Sequence, residues 1–177
     1  VYKRQVEQYG GQFPESYEEI HALKGIGNYT AGAIGSFAFG IPKPAVDGNV
    51  LRVVSRILAS REDIMKAKVR TAIETALEEV IPKDCPGDFN QGLIELGAIV
   101  CVPNGEPKCE ICPAAEICRA RKEGIAMELP VKTKAKERKI EKRTVLVFHD
   151  SDTLAIQKRP DKGLLAGLYE LPNLEGW

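Results

Sequence analysis

The sequence predicts a mainly α-helical first region followed by the beginning of a mixed α+β one, and three observations carry that expectation. Apolar residues recur at helical spacing through about residue 120. From Thr144 the period changes to alternation, the mark of a strand. Between the two, four of the five cysteines crowd into residues 101–118. The 177 residues suffice for one full domain and part of a second. With 25 basic and 25 acidic side chains, no global positive charge argues for nucleic acid, so any such case must rest on local features. A charged fraction of 28 % beside 44 % hydrophobic residues argues against bulk disorder. No apolar run approaches the ~18–20 residues of a membrane span, and no signal-peptide pattern opens the chain. The first residue is Val1 rather than Met, with a helical pattern already under way, so a fragment of a longer protein is expected.

Taken in order, Ser16 and Glu19 form a capping box, in which the serine accepts a backbone N–H and the glutamate returns a bond. It opens a short helix carrying Ile20 and Leu23. A hairpin, Lys24-Gly25-Ile26-Gly27-Asn28, leads into a helix starting near Tyr29-Thr30. That helix is lined by Ala31, Gly32, Ala33, Gly35 and Ser36, small enough for a neighbour to approach its backbone. Pro42 and Pro44 hold an extended loop. Val50, Leu51, Val54, Ile57 and Leu58 then give an apolar stripe, with Arg52, Ser55 and Arg56 read as outward. Val69, Ala72, Ile73, Ala76, Leu77 and Val80 form another stripe, stopped by Pro82. Asp88 is read as the cap of a further helix carrying Phe89, Leu93, Leu96, Ile99 and Val100, which delivers Cys101. Residues 121–143 read as a basic linker. Thr144 to Phe148 and Leu154 to Gln157 read as strands around an Asp150-Ser151-Asp152 turn.

The most specific signal is Cys101-x7-Cys109-x2-Cys112-x5-Cys118. Four thiolates at such spacing can hold a tetrahedral zinc or a [4Fe–4S] cube. One short pair flanked by two singles leans toward the cube, whereas zinc sites usually show two separated pairs. Four unligated thiols remain the bland alternative, and Cys85 is read as an ordinary core or loop cysteine. In Gly25-Ile26-Gly27 the glycines permit positive φ, and the N–H groups opening the next helix form an anion site suited to a DNA phosphate. A plain helix–turn–helix hairpin is the alternative. Asp47, in Pro44-Ala45-Val46-Asp47-Gly48-Asn49, reads as a helix N-cap or as a carboxylate facing a developing positive charge, roles that are not exclusive because Asn49 could take over the cap. His21 and His149 have no ligand partner at useful spacing and carry no assigned chemistry.

The hairpin, the aspartate loop and the cysteine cluster, in that order, resemble the helix-hairpin-helix DNA glycosylases. Among these the chain looks most like the MutY family of adenine DNA glycosylases, through LKGIGNYTAGAI, AVDGNVLRVVSR, FNQGLIELGAIVC and the cysteine cluster. RTVLVFHDSDTLAIQKRPDKGLLAGLYELPNLEGW resembles the start of that family's C-terminal Nudix-like domain. The resemblance implies a helical glycosylase domain over 1–120, a basic linker over 121–143 and the beginning of a Nudix-like domain over 144–177. It implies Asp47 as the catalytic aspartate and Cys101, Cys109, Cys112 and Cys118 as ligands of a [4Fe–4S] cluster. Lys24, Gly25, Gly27, Asn28, Tyr29, Thr30 and Asn49 would meet the DNA.

The implied reaction is excision of adenine paired with 8-oxoguanine or guanine, after the base is flipped from the duplex. Tyr29 stands where the endonuclease III branch has a lysine, and a phenol cannot form that branch's Schiff base, so an abasic site is the expected product. The family's protonating glutamate belongs to a helix N-terminal to the segment matched here, and seven residues rather than the family's usual six separate the first two cysteines. Two alternatives follow: an endonuclease III-like glycosylase/lyase, and a non-catalytic DNA-binding fragment. The resemblance further implies double-stranded DNA as partner, a monomer, no membrane, and a place in the cytoplasm, at the nucleoid in a bacterium or in nucleus or mitochondrion otherwise.

Overall fold

A computed structural model describes residues 2–133, 137–138 and 140–176. Part of the predicted basic linker, residues 134–136 and 139, lies outside these, as do Val1 and Trp177. The chain divides into two units, Val1–Thr133 and Lys134–Trp177. The first therefore runs beyond residue 120, because residues 129–133 are bonded into it. Arg56 Nε donates to Leu129 O at 2.9 Å, and Ile64 N–H donates to Val131 O at 3.1 Å. Thr133 donates its hydroxyl and its N–H to Asp63.

The first unit is helical: α1 (Tyr2–Tyr9), α2 (Tyr17–Ala22), α3 (Asn28–Phe39), α4 (Gly48–Ile57), α5 (Ala67–Val80), α6 (Pro86–Glu95) and α7 (Arg119–Lys122). Ser16 caps α2 by accepting from Glu19 N–H at 3.3 Å. The return bond differs from the expected one, since the serine hydroxyl itself donates to Glu19 Oε2 at 2.8 Å. α6 begins at Pro86, with Cys85 as the residue before it, so Asp88 lies inside the first turn instead of capping the helix. Proline fits the first helical position because its missing N–H would be unpaired there. The helix then widens into a π-helical turn, Leu96–Val100, that ends on Cys101.

Val46, Val50, Leu51, Val54, Ile64, Val69, Ile73 and Leu77 form the buried core, with Phe89, Leu93 and Ile94 packed against it. α4 lies at the centre, against α5, α6, the π turn and α7. This placement overturns the outward reading of its polar residues. Arg52, Ser55 and Arg56 are all buried, at 3 %, 1 % and 4 % exposure. A guanidinium tolerates such a site only where acceptors meet its N–H groups, and Gly97, Cys101, Val102 and Leu129 are among those that supply them.

Among its described residues, the second unit holds three two-stranded antiparallel pairs. β1 (Arg143–Val145) pairs with β6 (Asn173–Glu175), β2 (His149–Asp150) with β3 (Thr153–Leu154), and β4 (Gln157–Lys158) with β5 (Tyr169–Glu170). The strands expected over 144–148 and 154–157 are thus shorter. Ser151, at φ 44, makes the turn between β2 and β3. Among the described residues, no helix is long and apolar enough to cross a membrane.

Candidate functional site

The hairpin and the aspartate loop meet on α3. Gly32 faces Pro44 so closely that a Cβ there would lie 2.2 Å from the proline carbonyl oxygen. Gly87 of α6 approaches Ser36 O in the same way, where a Cβ would fall at 3.1 Å. The small residues of α3 thus admit the close approach of neighbouring segments of the protein to its backbone. Asn90, 1 % exposed, joins the same three parts: its Nδ2 donates to Ser36 Oγ at 2.8 Å and Lys43 O at 2.9 Å, and its Oδ1 accepts from Ala45 N–H at 3.0 Å. Sequence reasoning passed over Asn90, although an asparagine on the core side of an apolar stripe is the sort of signal that marks a buried hub.

At the hairpin, Gly25 takes φ 91, a conformation that favours glycine. Gly27 opens α3 with no side-chain cap, so the first N–H groups of the helix are left to solvent or a ligand. Lys24, Gly25, Gly27, Asn28 and Tyr29 are exposed and Thr30 half-buried. The Asn28 side chain is turned to the protein, with Oδ1 2.9 Å from His21 Nε2 and Nδ2 donating to Glu74 Oε2 at 3.1 Å. His21 also stacks on Tyr17. Lys43 lies over the Tyr17 ring at 5.1 Å and pairs with Glu78 at 3.0 Å. Burial raises the Tyr17 phenol above its ordinary range, an effect partly offset by Lys43.

Asp47 caps α4 itself. Its Oδ1 accepts from Asn49 N–H at 2.8 Å and from Val50 N–H at 2.9 Å, while Oδ2 accepts from Asn49 Nδ2 at 2.8 Å. Asn49 therefore supports the carboxylate and does not replace it as the cap. The other end of its amide accepts from Arg52 at 2.9 Å. Arg52 continues to Gly97 O at 2.7 Å and, through Nε, to Cys101 O at 2.8 Å. Arg56 donates to Cys101 O, Cys101 Sγ and Val102 O at 3.1–3.2 Å. Desolvation, and then the neighbouring Arg56, lower the Arg52 pKa, with Cys101 and Asp47 acting the other way.

Cys101, Cys109, Cys112 and Cys118 line one cavity together with Arg56, Lys108 and Arg121. None is in a disulfide, and Cys85 is exposed and apart from them. Burial raises the Cys109 thiol, as do the other three sulfurs, against the pull of Arg121. Among the described residues, no three His, Cys, Asp or Glu side chains close on the spacing of a single metal ion. Four cysteines around one cavity with Arg56, Lys108 and Arg121 on its wall are a donor set whose chemistry and charge fit a [4Fe–4S] cluster.

No family model matches the chain. It is similar to adenine DNA glycosylases of Schizosaccharomyces pombe (35 % identity over 93 % of this chain and 44 % of that protein), Arabidopsis thaliana (38 %, 92 % and 28 %) and Homo sapiens (32 %, 97 % and 40 %). The chain thus spans less than half the length of these relatives. Among solved structures it is similar to a thermostable thymine-DNA glycosylase, with TM-score 0.59 and 30 % identity over 68 % of this chain and 55 % of that one. It is also similar to a non-covalent endonuclease III–DNA complex, with TM-score 0.57 and 31 % identity over 70 % and 55 %. The first unit thus has the helix-hairpin-helix glycosylase fold.

Proposed function

We propose, on the premise that the chain belongs to the adenine DNA glycosylase family along the stretch it spans, that it serves base excision repair by removing adenine opposite 8-oxoguanine or guanine. The bond cleaved is the N-glycosidic one, and an abasic site is left. The observation that carries this reading is the hold on Asp47, whose two oxygens accept three N–H bonds at 2.8–2.9 Å. These bonds fix the orientation of its side chain. A pre-oriented carboxylate stabilises the positive charge that grows on the sugar as the bond breaks, the logic of glycoside hydrolysis. We assign no residue of this chain to protonation of the base.

The uncapped start of α3, the exposed Lys24, Gly25, Gly27, Asn28 and Tyr29, and the half-buried Thr30 form the surface for a duplex phosphate. Asn28 contributes there through its N–H, since its side chain is turned inward. Asn49, the partner of Asp47, would also meet the DNA. Tyr29 lacks the amine that strand cleavage through a Schiff base requires. Cys101, Cys109, Cys112 and Cys118 would hold a [4Fe–4S] cluster. Bound there, the four thiolates would be cross-linked through the cluster, which would supply structure to the loop and no bond of the excision step. The second unit is the start of a Nudix-like domain. The protein acts as a monomer on double-stranded DNA, at the nucleoid or in a DNA-containing organelle.

The test is excision from a duplex carrying one adenine opposite 8-oxoguanine, by the gene product that contains this chain. Strand breaks should appear only after alkali, and borohydride should trap no protein–DNA crosslink. A trapped crosslink would establish the glycosylase/lyase reading. Duplex binding that weakens with salt, without excision of adenine, would reduce the protein to a DNA-binding module.

A further inference from the structure

We infer that Asn90 is a positioning residue for Asp47, an inference that rests on the proposed glycosylase reading. Asp47 follows a stretch, residues 43–46, that has no helix or strand of its own to hold it. That stretch packs against Gly32 and into the core, and one side chain from another element bonds its backbone. Asn90, on α6, accepts from Ala45 N–H and donates to Lys43 O, so it grips the backbone two and four residues before the carboxylate. Its remaining bond, to Ser36 Oγ, ties the grip to α3, the helix that the hairpin opens. At 1 % exposure, no water can substitute for these partners without opening the core.

The same helix holds the other side of the carboxylate. Gly97, in the π turn that continues α6, lies against Asn49, and a Cβ there would come within 2.6 Å of the Asn49 Cβ. Asp47 is therefore bracketed by one continuous segment, through Asn90 before it and Gly97 after it. A carboxylate that must face a transient charge gains from such a bracket, because a displacement of about 1 Å costs on the order of a hundredfold in rate. The inference separates Asn90 from the catalytic groups: it touches neither sugar nor base and acts on the loop alone.

The experiment compares the gene product with its Asn90→Ala and Ser36→Ala variants in three readouts: single-turnover excision of adenine, Kd for the duplex, and backbone amide exchange over residues 43–50. Asn90→Ala should lower the excision rate by about a hundredfold, shift Kd by less than about threefold, and speed exchange at Ala45 while α5 stays protected. Ser36→Ala, which removes one of three bonds, should lower the rate by about fivefold. Ile20→Val, a core truncation in α2, is the control, with a lower melting temperature and an unchanged rate. An Asn90→Ala protein with the parent rate overturns the inference. If that variant does not fold, an unchanged rate in Ser36→Ala overturns it instead. A parent protein that excises nothing overturns the glycosylase reading itself, which is a different outcome from an active parent indifferent to Asn90.

Discussion

The hairpin at residues 24–28 and the loop at residues 43–47 both end where a helix begins, and the two junctions are finished in opposite ways. Gly27 gives α3 no side-chain cap and leaves its surroundings exposed. Asp47 gives α4 two cap bonds from one oxygen, and the residues before it, Pro44, Ala45 and Val46, are buried. An open N-terminus can take any anion that arrives, because its donors carry no preference beyond charge and direction. A filled one cannot, since its donors are already spent on a carboxylate of the chain. The difference teaches where to look for affinity and where for chemistry. The largest expected effect tests it directly. Asp47→Asn should reduce excision by about a thousandfold, the scale of a lost electrostatic stabiliser. Asparagine caps as well as aspartate, so the melting temperature should stay close to that of the parent. A matched loss of rate and stability would mean that Asp47 only caps.

The capped loop is also tied to the cysteines, which the hairpin is not. From Asp47 the bonds run through Asn49 and Arg52 to the Cys101 carbonyl. Cys112→Ser leaves three of the four thiolates and should abolish the iron–sulfur absorbance, a larger loss than the ~10–100-fold drop in metal affinity that follows removal of a mere second-shell partner. Duplex binding should weaken as the loop loses its cross-link. Full iron and sulfide content in that variant would remove Cys112 from the ligand set.

The hairpin should respond more gently and in another quantity. Gly25 takes φ 91 with open space around it, so Gly25→Ala meets backbone strain of ~1 kcal/mol and no clash. That corresponds to about fivefold in Kd for the duplex, with the single-turnover rate at saturating protein unchanged. A fall in the saturated rate at constant Kd would erase the distinction between the two junctions.

How much of this was legible in the sequence follows from where each bond partner lies. The Ser16 and Asp47 caps could be read, because their acceptors and donors are two or three residues apart. The helices with a clear apolar stripe could be read for a similar reason, as Val69, Ile73 and Leu77 face the core by spacing alone. Arg52 and Arg56 could not, since a charged residue on a helix is read as outward until its partner is known. Their acceptors, Gly97, Cys101, Val102 and Leu129, come from more than forty residues away. Asn90 escaped for the same reason, and so did the anchoring of residues 129–133. The short strands of the second unit had the right kind of pattern, but alternation marks which residues could pair and not which do.

That anchoring yields the smallest expected effect. Asp63 accepts from the Thr133 hydroxyl, from Met65 N–H at 2.9 Å and from Thr133 N–H at 3.2 Å. The Thr133 hydroxyl first, and then the Met65 N–H, hold its carboxyl below the ordinary 3.8. A carboxyl depressed by folding stabilises the native state above its unfolded pKa and loses that contribution as pH falls through the folded value. Asp63→Asn removes the titration and keeps the shape. The melting-temperature gap between parent and variant should be constant at neutral pH and shrink steadily below about pH 4. The half-buried, water-reached position of the carboxylate keeps the gap small at any pH. A gap that persists unchanged into acid would show that the tie between Asp63 and Thr133 does not depend on charge, and that residues 131–133 are held by the Ile64–Val131 backbone bond alone.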